Sequence, residues 1–273
     1  MLRKISFVGA GSMAESIIAG IVKEKNLHPD QIFVTNKDNK DRLERLKNRY
    51  HVQCTTDKEA AITGADIVVL SMKPHDLMAA VEAMKMHIKP NQVIVSVLAG
   101  VSIDYISSIV GRDVPVVRAM PNTSASIGFS ATAIARDNKV SDEQLNAILS
   151  LFGTVGTTTV IEEKDMHTVT GLSGSGPAYI YYLAEAMEEV AVKSGLDKEV
   201  AKSLIMQTII GAGEMLKRSG EPAEVLRKKI TSPNGTTQAG LKTLDELNFQ
   251  EAVIEGVKSA RDRSIELGEG NKR

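Results

Sequence analysis

The chain has 273 residues, 42% of them hydrophobic and 25% charged, with 33 Lys and Arg balanced against 34 Asp and Glu. That length exceeds the ~100–150 residues of a typical single domain and predicts two domains with a sizeable core, while a net charge near zero argues against a nucleic acid or polyanion as partner. The single cysteine, Cys54, excludes an internal disulfide and fits a reducing cytoplasm; the start runs straight into a strand without a signal peptide, and no apolar run approaches the ~18 residues a spanning helix needs.

Residues 4–8 form a short apolar run of strand character, followed at once by Gly9-Ala10-Gly11-Ser12-Met13-Ala14 and by a helical pattern in Ile17, Ile18, Ile21 and Val22. This is G-x-G-x-x-A between a strand and a helix. Gly9 permits a tight turn, Gly11 lets a pyrophosphate approach the backbone, and Ala14 allows the helix to pack closely on the strand. A second strand, residues 32–35, completes a βαβ unit for a dinucleotide. At its end a cofactor without the extra phosphate usually meets an Asp or Glu that accepts both ribose hydroxyls. This chain has Thr35-Asn36-Lys37 instead, followed by Lys40 and Arg42. The missing acid favours NADPH, with NADH possible, although the same cations also suit the solvated face of a helix.

Strand-like runs then recur at residues 67–71, 93–97, 114–119, 131–135 and 157–161, alternating with helical patterns, which is the grammar of a doubly wound parallel sheet. Ligands of open α/β sheets bind at strand ends. Three segments fall there: Met72-Lys73-Pro74, Ala99-Gly100, and the stretch holding Asn122. Lys73 would approach cofactor phosphates and Asn122 the nicotinamide amide, with a turn-forming role as the alternative for each. The five histidines show no spacing suited to a metal.

After Asp165 the strand signals stop. Helical segments occupy residues 177–194, 197–217, 222–229, 236–247 and 251–267, and residues 268–273 read as a frayed polar tail. The expected architecture is therefore a Rossmann-type doubly wound domain at residues 1–162 and an all-helical domain at 163–273. Apolar residues spread around several faces of the helical part, as in Tyr179 to Leu183 and Leu204 to Ile210. A helix apolar all round must be buried, so the expectation is a homodimer, or an assembly of dimers, through this half.

Near the C-terminus lies Ser232-Pro233-Asn234-Gly235-Thr236-Thr237. Pro233 removes a backbone donor, Asn234 and Gly235 tolerate unusual backbone angles, and the threonines open a helix whose N–H groups point back toward the loop. A small carboxylate would sit on those groups, favoured by the helix dipole, with a threonine hydroxyl beside it. The plainer alternative is a Thr-capped helix after a turn.

GAGSMA at residues 9–14, VVRAMPNTSASIG at 116–128, GLSGSGPAY at 171–179 and ITSPNGTTQAGL at 230–241 together resemble Δ1-pyrroline-5-carboxylate reductase, the last enzyme of proline biosynthesis. The resemblance covers nearly the whole chain. The block at 230–241 is the specific one; the first is shared by many dehydrogenases. Asn234 stands where many members have a second glycine, and Asn also tolerates left-handed angles. The resemblance implies NAD(P)H-dependent reduction of a cyclic imine at its C=N bond, an interlocked helical dimer, and substrate bound near the dimer interface. It further implies a carboxylate held by Ser232, Asn234, Gly235 and Thr236, with Thr237 as the catalytic hydroxyl on the imine nitrogen. The rivals are another cyclic-imine reductase, a β-hydroxyacid dehydrogenase, and a non-catalytic NADP-binding regulatory relative. The β-hydroxyacid family's catalytic Lys and Asn would fall on Ile180 and Ala184, which offer no side-chain acid or donor.

Overall fold

The computed structural model describes residues 2–111 and 113–270. Its sheet contains β1 (Ile5–Val8), β2 (Ile32–Thr35), β3 (Gln53–Thr55), β4 (Ile67–Leu70), β5 (Val93–Ser96), β6 (Val116–Met120), β7 (Ser130–Arg136) and β8 (Gly156–Val160). The strand order is β3-β2-β1-β4-β5-β6-β7-β8. β1, β4, β5 and β6 are buried at every residue, as a sheet covered on both faces demands. Side chains alternate between faces with period two. Ile67 and Val69 accordingly join one apolar core with Phe7, Ile17 and Phe152, whereas Val68 and Leu70 join another with Leu77 and Ile106.

The helices of this sheet region are α1 (Ser12–Lys23), α2 (Lys40–Tyr50), α3 (Lys58–Ile62), α4 (Leu77–Glu82), α5 (Ile103–Val110) and α6 (Asp142–Gly153). Chain order reverses between β1 and β4, which pair with Val8 opposite Leu70. A crevice at the carboxyl ends of these strands is where such sheets take ligands.

The all-parallel expectation needs one correction, because β6 and β7 run antiparallel. The segment between them holds only a short 3-10 turn, Thr123–Ile127, and Gly128 with φ +80°. A parallel return needs a crossover of about a dozen residues or more.

Beyond β8 come α7 (Met166–Val169), a π-helical stretch Thr170–Gly174, α8 (Gly176–Lys193), α9 (Lys198–Ser219), α10 (Ala223–Lys229), α11 (Thr236–Glu246) and α12 (Phe249–Gly270). The chain divides into two compact units, Met1–Ser175 with Lys258–Arg273, and Gly176–Val257. Residues 268–270 are not a frayed tail. They extend α12, and a Cβ on Gly268 would lie 2.4 Å from the Gly100 carbonyl oxygen. A helix end so close to backbone needs glycine. The rest of the predicted tail, residues 271–273, lies outside the described residues. In the second unit α8 buries no residue and α9 only Ala201 and Ile205.

Candidate functional site

The turn after β1 is shaped by sterics. Gly9 has φ +112°, and a Cβ there would sit 2.6 Å from the Ser71 carbonyl carbon and oxygen and 2.7 Å from the Met72 nitrogen. Only glycine fits between the ends of β1 and β4. The turn is pinned by Gly9 N–H donating to the Thr35 carbonyl at 2.9 Å and by the Ser71 hydroxyl donating to the Gly9 carbonyl at 2.9 Å. Gly11 then serves as the N-cap of α1 with no side chain closing the cap. The N–H groups of Ser12, Met13 and Ala14 accordingly have no acceptor among the described residues. Ser12 is exposed, Met13 packs on the core, and Ala14 is fully buried against the sheet. An open helix start of this kind suits a phosphate.

At the end of β2, Thr35 is buried and its hydroxyl oxygen finds no partner among the described residues. Asn36 is half-buried and Lys37 exposed. Both line a cavity of about 330 Å³, together with Val8, Gly9, Met72 and Lys58. Asn36 also lines a second cavity of about 410 Å³, beside Gly11, Ser12, Arg42 and Arg45. An orphaned buried hydroxyl, a turn too tight for a Cβ, an open helix N-terminus and the absence of a carboxylate on β2's last residue together fit a phosphorylated dinucleotide.

Arg42 is not part of a free cationic face. Its Nε donates to the Ala10 carbonyl at 2.7 Å and its guanidinium pairs with Glu15 at 2.5 Å. Arg49 and the Tyr50 hydroxyl also reach the Glu15 carboxylate, each at 3.2 Å. Burial pushes the Glu15 carboxyl up, but the hydrogen bonds and charges of Arg42, Tyr50 and Arg49 outweigh it and hold it below the usual carboxylate value. The sequence reads Arg42 as a phosphate cation or a solvated one; Glu15, Arg45 and Lys58 were not foreseen as site residues. Only Lys58, on a different element from the glycine motif, lacked any local signal.

The remaining strand-end residues divide by role. Met72 lines the first cavity, while Lys73 is exposed and precedes Pro74 at the start of a 3-10 turn. Ala99 packs on a core and Gly100, at φ +76°, lies beneath α12, where a Cβ would meet Gly268, Leu267 and Ser264 at 3.1–3.2 Å. Asn122 is a turn residue: its amide oxygen accepts from Ser124 N–H at 3.1 Å and its amide nitrogen donates to the Ser173 carbonyl at 3.0 Å. Close by in the fold, Arg118 on β6 is buried and pairs with Glu163 at 2.9 Å. The same carboxylate oxygen accepts the Ile103 N–H at 2.7 Å, closing the start of α5.

The Ser232 to Thr237 loop of the second unit is built as an open helix start. Gly235 N–H donates to the Ser232 carbonyl at 3.0 Å, and Asn234 takes the left-handed conformation at φ +60°. Asparagine thus serves here in place of glycine. The Gln238 side chain accepts the Asn234 N–H at 2.6 Å, which steadies the turn from within the helix. The N-cap is Gly235, without a side-chain cap, so neither threonine caps the helix. The N–H groups of Thr236, Thr237 and Gln238 and both threonine hydroxyls have no partner among the described residues. Thr236 is exposed and Thr237 half-buried. A cavity of about 750 Å³ opens beside Arg227, Asn234, Gly235, Gln238, Lys242 and Glu246; Ser232, Thr236 and Thr237 do not line it.

Comparison with known proteins agrees with both halves. Residues 163–267 match the family model described as pyrroline-5-carboxylate reductase dimerisation, and residues 4–100 match that of NADP oxidoreductase, coenzyme F420-dependent. Pyrroline-5-carboxylate reductase 2 of Bacillus subtilis is 45% identical over 268 residues, spanning 98% of this chain and 96% of the relative. A solved pyrroline-5-carboxylate reductase from Coxiella burnetii superposes with a TM-score of 0.90 at 34% identity, covering 98% of this chain and 99% of that one. The Plasmodium falciparum pyrroline carboxylate reductase, solved with NADP bound, gives a TM-score of 0.88 at 28% identity over 97% of this chain and 98% of its own. With relatives this similar over nearly its whole length, the chain belongs to the pyrroline-5-carboxylate reductase family.

Proposed function

We propose that the protein reduces 1-pyrroline-5-carboxylate to L-proline with NADPH, accepting NADH less well, as the last step of proline biosynthesis. The observation that carries this reading is the uncapped start of α11, where three N–H groups and the Thr237 hydroxyl have no partner among the described residues. Its positive dipole end suits a carboxylate. Thr236, Gly235, Asn234 and Ser232 shape that cradle, and Thr237 holds the imine nitrogen.

The chemistry asks little more of the protein. A protonated cyclic imine already has an electrophilic carbon, so no protein nucleophile is needed: hydride adds to that carbon, the C=N π electrons become the lone pair of a neutral secondary amine that stays in the ring, and that amine takes a proton from solvent. The nicotinamide supplies that hydride when bound. The chain's own work is positioning, where well-oriented reactants gain on the order of 7–11 kcal/mol of barrier. Gly9, Gly11, Ser12, Met13 and Ala14 would hold the pyrophosphate, Asn36 and Lys37 the phosphorylated ribose, and Met72, Lys73, Pro74, Ala99, Gly100 and Asn122 the walls of the crevice.

A homodimer through the helical unit belongs to the same reading, supported by exposed Tyr182, Val190, Leu204 and Ile210 and by the matched dimerisation model. Among the described residues no helix is long and apolar enough to cross a membrane, and a cytoplasmic setting is proposed with the unpaired Cys54. The β-hydroxyacid alternative loses its support, since Ile180 and Ala184 stand at its catalytic positions. Supplying NADPH deuterated at the transferable position tests the reaction: the label should appear on ring carbon 5 of proline, and unlabelled proline or none would refute the hydride route.

A further inference from the structure

The second cavity of the cofactor cradle contains a charge that its proposed ligand would not choose. Dehydrogenases that take the unphosphorylated cofactor place a carboxylate at the end of β2. Here β2 ends in Thr35, with Asn36 and Lys37 after it; Asp38 and Asp76 line the first cavity, and the carboxylate lining the second is that of Glu15. Glu15, in the first turn of α1, lines the cavity that also receives Asn36, Arg42 and Arg45. Its side chain is 21% exposed and that of Arg42 19%, so the pair is shielded well enough for its charges to be felt.

Arg42 has two duties in this arrangement. Its Nε fixes the Ala10 carbonyl at 2.7 Å, holding the glycine turn in shape, while its guanidinium charge is spent on Glu15 at 2.5 Å. Arg49 and Tyr50 complete the shell of Glu15. Glu15 therefore subtracts from the positive field offered to a 2′-phosphate, and does so beside the open N–H groups of Ser12 to Ala14.

We propose that Glu15 sets the cofactor selectivity of this protein: its carboxylate neutralises Arg42 and faces the ribose-phosphate cavity, keeping the advantage of NADPH over NADH smaller than the surrounding cations would otherwise give. The inference rests on the reading of this cradle as an NAD(P)H site. It separates two effects by residue. Removing the Glu15 charge favours the phosphorylated cofactor more than the other, since both carry the pyrophosphate and only one the 2′-phosphate, whereas removing Arg42 loosens the glycine turn and weakens both.

Equilibrium titration of NADPH and NADH, followed by nicotinamide fluorescence, tests this at low and high salt on the full-length protein. Glu15→Gln keeps an acceptor oxygen for Arg42 and replaces the other oxygen with an NH2 group from which the Tyr50 hydroxyl oxygen can accept; it should tighten NADPH by about 3–30-fold, the range for one like charge removed at close quarters, and NADH by several-fold less. Salt should erase the gain. Glu15→Met, of similar volume, should move the ratio the same way, so either folded variant decides; Glu15→Asp keeps the charge and should keep the wild-type ratio. An unchanged NADPH to NADH ratio in the neutral variants, or equal shifts for both cofactors, would overturn the selectivity role while leaving the nucleotide site intact. Wild-type protein that binds neither cofactor would overturn the site and this inference together.

Discussion

Thr237→Ala, read beside Thr237→Ser, separates catalysis from folding at one side chain. Thr237 is the second residue of α11, its hydroxyl makes no hydrogen bond among the described residues, and the cap position belongs to Gly235. Replacing a capping threonine would cost roughly 1 kcal/mol of stability. No cap is lost here, and alanine's higher helix propensity returns up to ~0.7 kcal/mol, so the melting temperature should hold or rise slightly. If the hydroxyl grips the imine nitrogen, its removal from a desolvated site costs ~1–3 kcal/mol in the transition state, about one to two decades in kcat. Thr237→Ser should recover most of that. NADPH affinity should stay at the wild-type level, since the proposed cofactor contacts lie on other elements. Measuring kcat, cofactor affinity and thermal midpoint on the three proteins decides it. An alanine variant that turns over at the wild-type rate would refute the role assigned to Thr237.

Gly9→Ala should cost roughly 1–3 kcal/mol in backbone strain and a further 1–3 for overlap with the Ser71 and Met72 backbone; Gly64→Ala, at φ +74° with nothing within 4 Å, is the control that bears strain alone. Equal losses of melting temperature in the two would contradict the close approach at Gly9. Glu163→Ala leaves Arg118 buried and unpaired, and should destabilise by about 3 kcal/mol, the low end for a broken buried pair because Glu163 is partly exposed. Glu163→Gln, which can still accept from Arg118 and Ile103, should recover part of this; denaturant unfolding giving less than ~1 kcal/mol for the alanine variant, the scale of an exposed pair, would show the pair to be weak. Finally, with α8 burying no residue of its own in the single chain, sedimentation should find a dimer at low micromolar concentration. A stable, active monomer would refute assembly through the helical unit.

Much of this was legible from local sequence. The glycine turn, the sheet's apolar strands and the left-handed Asn234 follow from which residues tolerate which backbone angles and from the burial of a two-faced sheet. The misses are non-local. The direction of β7 depends on the length of its connection, which hydrophobic patterning does not report. The end of α12 looked like a polar tail because Gly268 has no side chain to signal burial, yet its lack of a Cβ is what admits it against Gly100. Arg42 read either as a cation for the phosphate or as surface charge, and not as a paired group, because its partner Glu15 is 27 residues away on another helix. The caps of α11 were ambiguous in sequence, since Thr caps are common, and only the backbone angles assign the cap to Gly235.

The most direct test of the account is turnover with purified protein, NADPH and 1-pyrroline-5-carboxylate, with 3-hydroxyacids and NADP as the competing pair. The account predicts NADPH oxidation matched mole for mole by proline, and no oxidation of the hydroxyacids. Hydroxyacid oxidation without any reduction of the imine would contradict it.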